Sequence, residues 1–343
     1  MKVLRKTAKG EGNVEFKDLE PPKIKSDELL VEVKAAGICG TDLHILHDKS
    51  HYVPPVTLGH EYSGVVVEAG SDVKDFEVGD TVTSPATINC GICHFCRIGF
   101  TNRCIDPNKR ILGIARANGA FARYMAVPAK IAHKLSKDIP FEEAALAEPV
   151  ACAVHATEMV KVNMGDTVVI LGPGPMGLLI LQLARLAGAT QTIVTGIAAD
   201  HDRLKIAKEL GADHIINVEQ ENPIPIIKEI TNDLGADVVF ECSGAPAAQK
   251  QAFDIVRRRG KIGLVGLTGR EINISLDKIV EGELEVSGSW GTLWTSWKLA
   301  IKLISLKKLQ VKPLISATLS LEQWEKGFQL MESKEAIKVL LIP

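Results

Sequence analysis

Thr167-Val-Val-Ile-Leu-Gly-Pro-Gly-Pro-Met-Gly177 joins a β-branched run to a G-x-G-x-x-G and opens directly into an apolar, helix-like stretch over 176–187. A G-x-G-x-x-G alone is a weak signal, but a strand before it and a helix after it are the context that dinucleotide binding requires. Gly172 makes the tight turn, Gly174 lets the backbone approach a pyrophosphate, and Gly177 lets helix and strand pack closely. The helix N-terminus adds amides and a positive dipole end. Pro173 and Pro175 carry no N–H, so the donors would be Gly174, Met176 and Gly177.

Outward from this turn the same texture repeats. Strand-like runs at 192–195, 214–218, 237–241 and 261–266 alternate with helical stretches at 201–210, 223–233 and 246–258, and 284–287 could supply a sixth strand. Such alternation predicts parallel βαβ units, an α/β domain with a doubly wound Rossmann sheet over 151–291. The run Arg257-Arg258-Arg259 reads as a solvated helix end.

Before Glu148-Pro149 the chain is different: short strand-like runs at 28–36, 63–69 and 80–84, punctuated by glycine and proline, predict an irregular, mostly β domain over 1–150. After Trp290 a helix at 296–306 and short pieces ending V-L-L-I-P are too small for a core of their own. Residues 292–343 are therefore expected to pack back on the first domain and make it discontinuous.

The 343 residues are 46% hydrophobic and 24% charged, with 40 basic against 42 acidic side chains. No basic block offers a nucleic-acid surface and no apolar run is long enough to span a bilayer. A cytoplasmic protein is expected. The seven cysteines agree, since an odd count without a secretory leader argues against a disulfide framework.

Four of those cysteines are the most specific signal in the chain. Cys90, Cys93 and Cys96 share C-x-x-C spacing, with Cys104 beyond, and four thiolates from one short lobe can close a tetrahedral zinc site with no open position, a structural site. The spacing of the first three also suits an iron–sulfur cluster, but the fourth lies too far on.

A second set has the composition of a catalytic site. In C-G-T-D-L-H at 39–44 and L-G-H-E-Y-S-G at 58–64, Cys39 offers a thiolate and His60 an imidazole, and Glu61 or Glu148 offers a carboxylate. Asp42 is placed to orient a ligand histidine through its second nitrogen. Thr41 could hydrogen-bond a reacting oxygen and pass its proton on, with His44 further along the relay.

The acid expected about twenty residues after the glycine turn, which would accept from a ribose diol, is absent. The second strand ends at Thr195-Gly196, with Asp200, His201, Asp202 and Arg203 beyond. A glycine with basic neighbours tolerates a 2′-phosphate, while Asp200 curling back to the ribose would favour NAD. The choice stays open, leaning toward NADP being accepted.

Taken together, G-I-C-G-T-D-L-H at 37–44, G-H-E-Y-S-G at 59–64, G-D-T-V at 79–82, the cysteine lobe, E-P-V at 148–150 and G-P-G-P-M-G at 172–177 make the chain resemble the zinc-dependent medium-chain alcohol/polyol dehydrogenases over nearly its whole length. The resemblance implies a GroES-like catalytic domain interrupted by a Rossmann domain, assembled as a homotetramer. It implies two Zn²⁺ per chain: Cys39 and His60 as catalytic ligands with Glu61 or Glu148, and Cys90, Cys93, Cys96 and Cys104 as structural ligands. Gly172, Gly174, Pro175, Met176, Gly177, Gly196, Asp200 and Arg203 would line a bound NAD⁺ or NADP⁺.

The implied reaction is reversible oxidation of a secondary hydroxyl of a polyol or simple alcohol to a ketone. Within the family, L-threonine 3-dehydrogenase is the alternative, weakened because its E-P-x-G-N is here E-P-V-A-C at 148–152. A non-enzymatic dinucleotide-binding protein holding only the structural zinc is the alternative of another class.

Overall fold

The computed structural model describes residues 1–343. Two compact units result, Met1–Ala151 with Thr292–Pro343, and Cys152–Gly291.

The second unit is a six-stranded sheet in the order His214–Asn217, Gln191–Gly196, Thr167–Leu171, Ala236–Glu241, Val256–Leu264, Glu285–Gly288, every pair parallel. The order reverses at Thr167–Leu171, the switch point at which doubly wound sheets bind ligands beyond the carboxyl ends of their strands. Val168, Val169, Ile170 and Leu171 are fully buried, as a central strand covered on both faces must be. Helix Pro175–Leu186 follows at once, with proline at its first position, where the missing N–H costs no helical hydrogen bond.

The arginine run is not a helix end. The helix Pro246–Ile255 stops where Val256 pairs with Ala236, and Arg257, Arg258 and Arg259 lie in the strand Val256–Leu264. The sheet ladder outcompetes the helix here, and the register shifts between Ala236 and Val238 to take up the extra residues. Arg257 Nε donates to Asp237 Oδ1 at 2.6 Å, and Arg259 takes φ +57°.

The first unit is built on a mostly antiparallel sheet whose central strand, Glu28–Gly37, pairs with Glu61–Ala69, Tyr124–Pro128 and the carboxyl-terminal strand Lys338–Ile342. Its core joins Leu29, Val31, Ile38, Tyr62 and Phe121 to Val339 and Leu341 from the end of the chain. The register matters for function: Gly37 faces Glu61 on one side and Leu340 on the other. The last strand is thereby brought beside the first residues of the Cys39 stretch.

Candidate metal centre and dinucleotide cradle

At the end of the strand Glu28–Gly37 the chain turns into the short helix Gly40–Leu46, with Cys39 as the extended residue before it. Asp42 fixes this turn: its carboxylate accepts from the Cys39 amide at 2.9 Å and from the Gly59 amide at 3.4 Å. Gly59 takes φ +88°, and a Cβ there would lie 2.6 Å from the Phe121 ring, so only glycine lets the chain turn His60 inward at this point. The result is that the Cys39 sulfur, a His60 ring nitrogen and a Glu61 carboxylate oxygen come within 4.8 Å of one another.

The role expected of Asp42 needs correction. Its Oδ1 lies 3.9 Å from His60 Nδ1, too far for a hydrogen bond, because the carboxylate is engaged by the two backbone amides. Its action on the histidine is through charge and through the backbone that carries it.

The partner that sequence reasoning missed is Lys338. Its Nζ is buried and donates to Glu61 Oε1 at 2.8 Å, to Glu61 Oε2 at 2.7 Å and to the Ile38 carbonyl at 2.9 Å. Gly37 makes room for this pair: a Cβ on it would lie 2.3 Å from Glu61 Oε2. The available signal was a lysine opening the apolar run K-V-L-L-I at 338–342, where burial demands an anionic partner.

Glu148, on the helix Ala147–Met159, is buried but stands outside the 4.8 Å group. Its charge nevertheless reaches both cations. Burial works against the charged His60 imidazole, yet Cys39, Asp42 and Glu148 hold its pKa well above the usual histidine value. Burial likewise opposes the Lys338 ammonium, and Glu61, Cys39 and Glu148 raise it. The Asp42 carboxyl is pushed up by burial, with His60 and the Cys39 amide pulling the other way. The Cys39 thiol, the His60 imidazole and the Glu61 carboxylate thus form an anion-rich donor set, which fits a divalent zinc ion. Thr41 Oγ1 lies 3.7 Å from Cys39 Sγ, and His44, one turn further along the helix, is exposed.

The second cluster is local. The four sulfurs of Cys90, Cys93, Cys96 and Cys104 lie within 4.8 Å of one another. The Cys93 amide donates to Cys90 Sγ and the Cys90 amide to Cys104 Sγ, each at 3.4 Å. Backbone amides pull the Cys93 thiol down to about 6, while burial and the neighbouring sulfurs drive Cys96 up to about 12. Amides favour thiolates here and mutual repulsion forbids four of them together, the chemistry of a site that a cation completes.

In the other unit the glycine turn leaves room at its middle glycine. Gly172 takes φ +107°, a Cβ at Gly177 would lie 2.0 Å from the Gly172 carbonyl, and a Cβ at Gly174 would meet no protein atom within 4 Å. The first two are needed for the turn itself; the third faces open space, as a close approach to a ligand requires. Pro175 and Met176 open the helix beside it. Asp200 folds back against Gly196, where an added Cβ would lie 3.1 Å from the Asp200 Cβ. It is buried, accepts from the Ile197 amide at 3.2 Å, and pairs with Arg203 at 3.4 Å, closing the turn after Gly196.

Residues 25–137 match the family described as alcohol dehydrogenase GroES-like domain, and residues 175–306 match zinc-binding dehydrogenase. Sorbitol dehydrogenase of Halalkalibacterium halodurans is 39% identical over 345 residues, covering 100% of this chain and 99% of that protein. L-threonine 3-dehydrogenase of Thermococcus kodakarensis is 37% identical over 350 residues, covering 100% of this chain and 98% of its own. Among solved structures, a zinc-binding dehydrogenase from Sinorhizobium meliloti bound to NADP superposes with a TM-score of 0.90 at 35% identity, covering 100% of this chain and 99% of that one. With a mixed-donor cluster, a four-thiol lobe and a glycine cradle on one chain, and relatives matched end to end, this protein belongs to the zinc-dependent medium-chain dehydrogenases.

Proposed function

We propose that the protein oxidises a secondary hydroxyl of a polyol or sugar alcohol to a ketone, reversibly, with a nicotinamide dinucleotide as hydride acceptor. The observation that carries this reading is the convergence of Cys39, His60 and Glu61 beside the Thr41 hydroxyl. Sorbitol dehydrogenase as the name of a 39% identical relative supports the substrate class.

Zinc held by Cys39, His60 and a glutamate would supply Lewis acidity to the substrate oxygen, while the dinucleotide supplies the hydride acceptor. The chain's own residues do the rest. Thr41 hydrogen-bonds the reacting hydroxyl and passes its proton toward His44, whose exposed ring delivers it to solvent. Asp42 holds the backbone on which Cys39 and His60 are mounted, and Lys338 balances the buried Glu61 carboxylate. Glu61, paired with Lys338, and Glu148, outside the group, are alternative third ligands. The proposal includes two zinc ions per chain, one in each cluster. A cytoplasmic homotetramer rests on the family resemblance alone.

The test is a panel of polyols, simple secondary alcohols and threonine, each assayed with NAD and with NADP on the zinc-loaded protein. The highest kcat/KM is expected for a polyol. A preference for threonine would establish the alternative that the 37% identical relative represents. No turnover on any arm would leave the non-enzymatic reading.

A further inference from the structure

The carboxylate that reads a ribose in this fold normally sits at the end of the second strand. Gly196 holds that position here, and more than a missing side chain separates it from an acid: a Cβ there would lie 3.1 Å from Asp200 Cβ and 3.1 Å from Pro173 Cγ. Pro173 belongs to the glycine turn itself, so a longer side chain at 196 would press on the phosphate cradle. Asp200, the next acid along the chain, is turned inward on Ile197 and Arg203.

An exposed carboxylate also stands at this edge, and it comes from just beyond the neighbouring strand His214–Asn217. The Val218 amide donates to the Gly196 carbonyl at 2.9 Å, extending the parallel ladder by one step. This places Glu219 beside the turn, where its own amide donates to Asn217 Oδ1 at 3.1 Å and its Oε2 accepts from the Ala198 amide at 2.8 Å. Ala198 and Glu219 are both exposed, so the carboxylate faces the solvent side of the strand ends, where an adenosine ribose lies in this fold.

We propose that Glu219 is the residue that sets dinucleotide choice, accepting from the ribose diol and excluding a 2′-phosphate, so that the protein prefers NAD(H) to NADP(H). This rests on the dinucleotide reading of the glycine turn. Glu219 already occupies the Ala198 amide, a backbone donor at this turn, and its charge would repel a 2′-phosphate brought to the same edge. Of the basic groups in the segment, Arg203 pairs with Asp200, Lys205 with Asp202, Lys208 donates to the Asp213 carbonyl, and the His201 ring is exposed. Gly196 with its basic neighbours leaves the choice open with a lean toward NADP, and the Glu219 carboxylate turns that lean toward NAD(H).

The test is direct binding of NADH and NADPH, followed by nicotinamide fluorescence, to the zinc-loaded protein and to its Glu219→Gln and Glu219→Ala variants. The parent should bind NADH more tightly. Both variants should move the ratio of dissociation constants toward NADPH by about tenfold or more, the scale of one charge-assisted hydrogen bond lost and one like-charge clash removed. A parent that binds NADPH as tightly as NADH, or variants with an unchanged ratio, would overturn the assignment of Glu219 alone. Failure of both dinucleotides to bind the parent would overturn the reading of the glycine turn, and this inference with it.

Discussion

The two cysteine-bearing clusters of the first unit solve the same electrostatic problem in opposite ways. In the lobe, four sulfurs from residues 90–104 are brought together by a few tight turns, three of the cysteines are half-buried, and the groups that meet the thiols are backbone amides. Around Cys39 the donors are mixed, and the charges come from far apart in the chain: Glu61 meets an ammonium 277 residues away. A local cluster of identical donors suits a metal that only holds a loop. A buried cluster of unlike donors with its own counter-cation suits a metal whose charge is to be spent on a substrate.

This contrast can be broken most severely at Lys338. Lys338→Met leaves the Glu61 carboxylate buried without its cation, a change expected to cost about 3–5 kcal/mol. The check is denaturant unfolding of the metal-free protein, following the transition of the first unit. An unchanged midpoint would show that the carboxylate does not depend on the ammonium.

A smaller effect sharpens the same point through two histidines. His60 is buried among anions and its pKa is raised; His133 is buried among apolar groups and its pKa falls to about 4, chiefly through burial, with Lys298 adding to it. Its ring stacks on Trp297 with centroids 5.1 Å apart and lies 4.1 Å from that of Trp294, and its Nε2 is buried without a hydrogen-bond partner. The native state therefore refuses a proton that the unfolded chain accepts. Stability should fall as pH drops from about 6.5 toward 4, by roughly 2–3 kcal/mol from this group. His133→Gln, which cannot titrate, should flatten the profile in that window; an unchanged slope would contradict the assignment.

What the sequence makes legible follows the same division. The cysteine lobe and the glycine turn are written in short spacings, and strand and helix alternation is a local pattern, so their geometry could be anticipated. Lys338 could not be placed, because its contact depends on the strand Lys338–Ile342 pairing with Glu28–Gly37, a register between opposite ends of the chain. The importance of Gly37 was hidden for the same reason, since only that pairing folds the Glu61 carboxylate across it. The sequence offers Asp42 as an orienting partner for a ligand histidine, whereas the amides of Cys39 and Gly59 claim it first. Arg257 to Arg259 failed differently: a helical run was cut short by a ladder partner that local propensity does not reveal. The ladder, and not sequence spacing, brings Glu219 beside Gly196, so spacing along the chain points only as far as Asp200.

On the proposed reading the chain carries one catalytic and one structural metal site, and Cys39 belongs to the first. The most direct measurement is zinc content and polyol turnover for Cys39→Ser beside Cys104→Ser. Cys39→Ser should keep the lobe metal, the fold and dinucleotide binding, and lose one of two zinc equivalents together with turnover. Cys104→Ser should lose the other equivalent and thermal stability while retaining measurable turnover where it remains folded. Turnover that survives in Cys39→Ser, or two zinc equivalents retained there, would contradict the account.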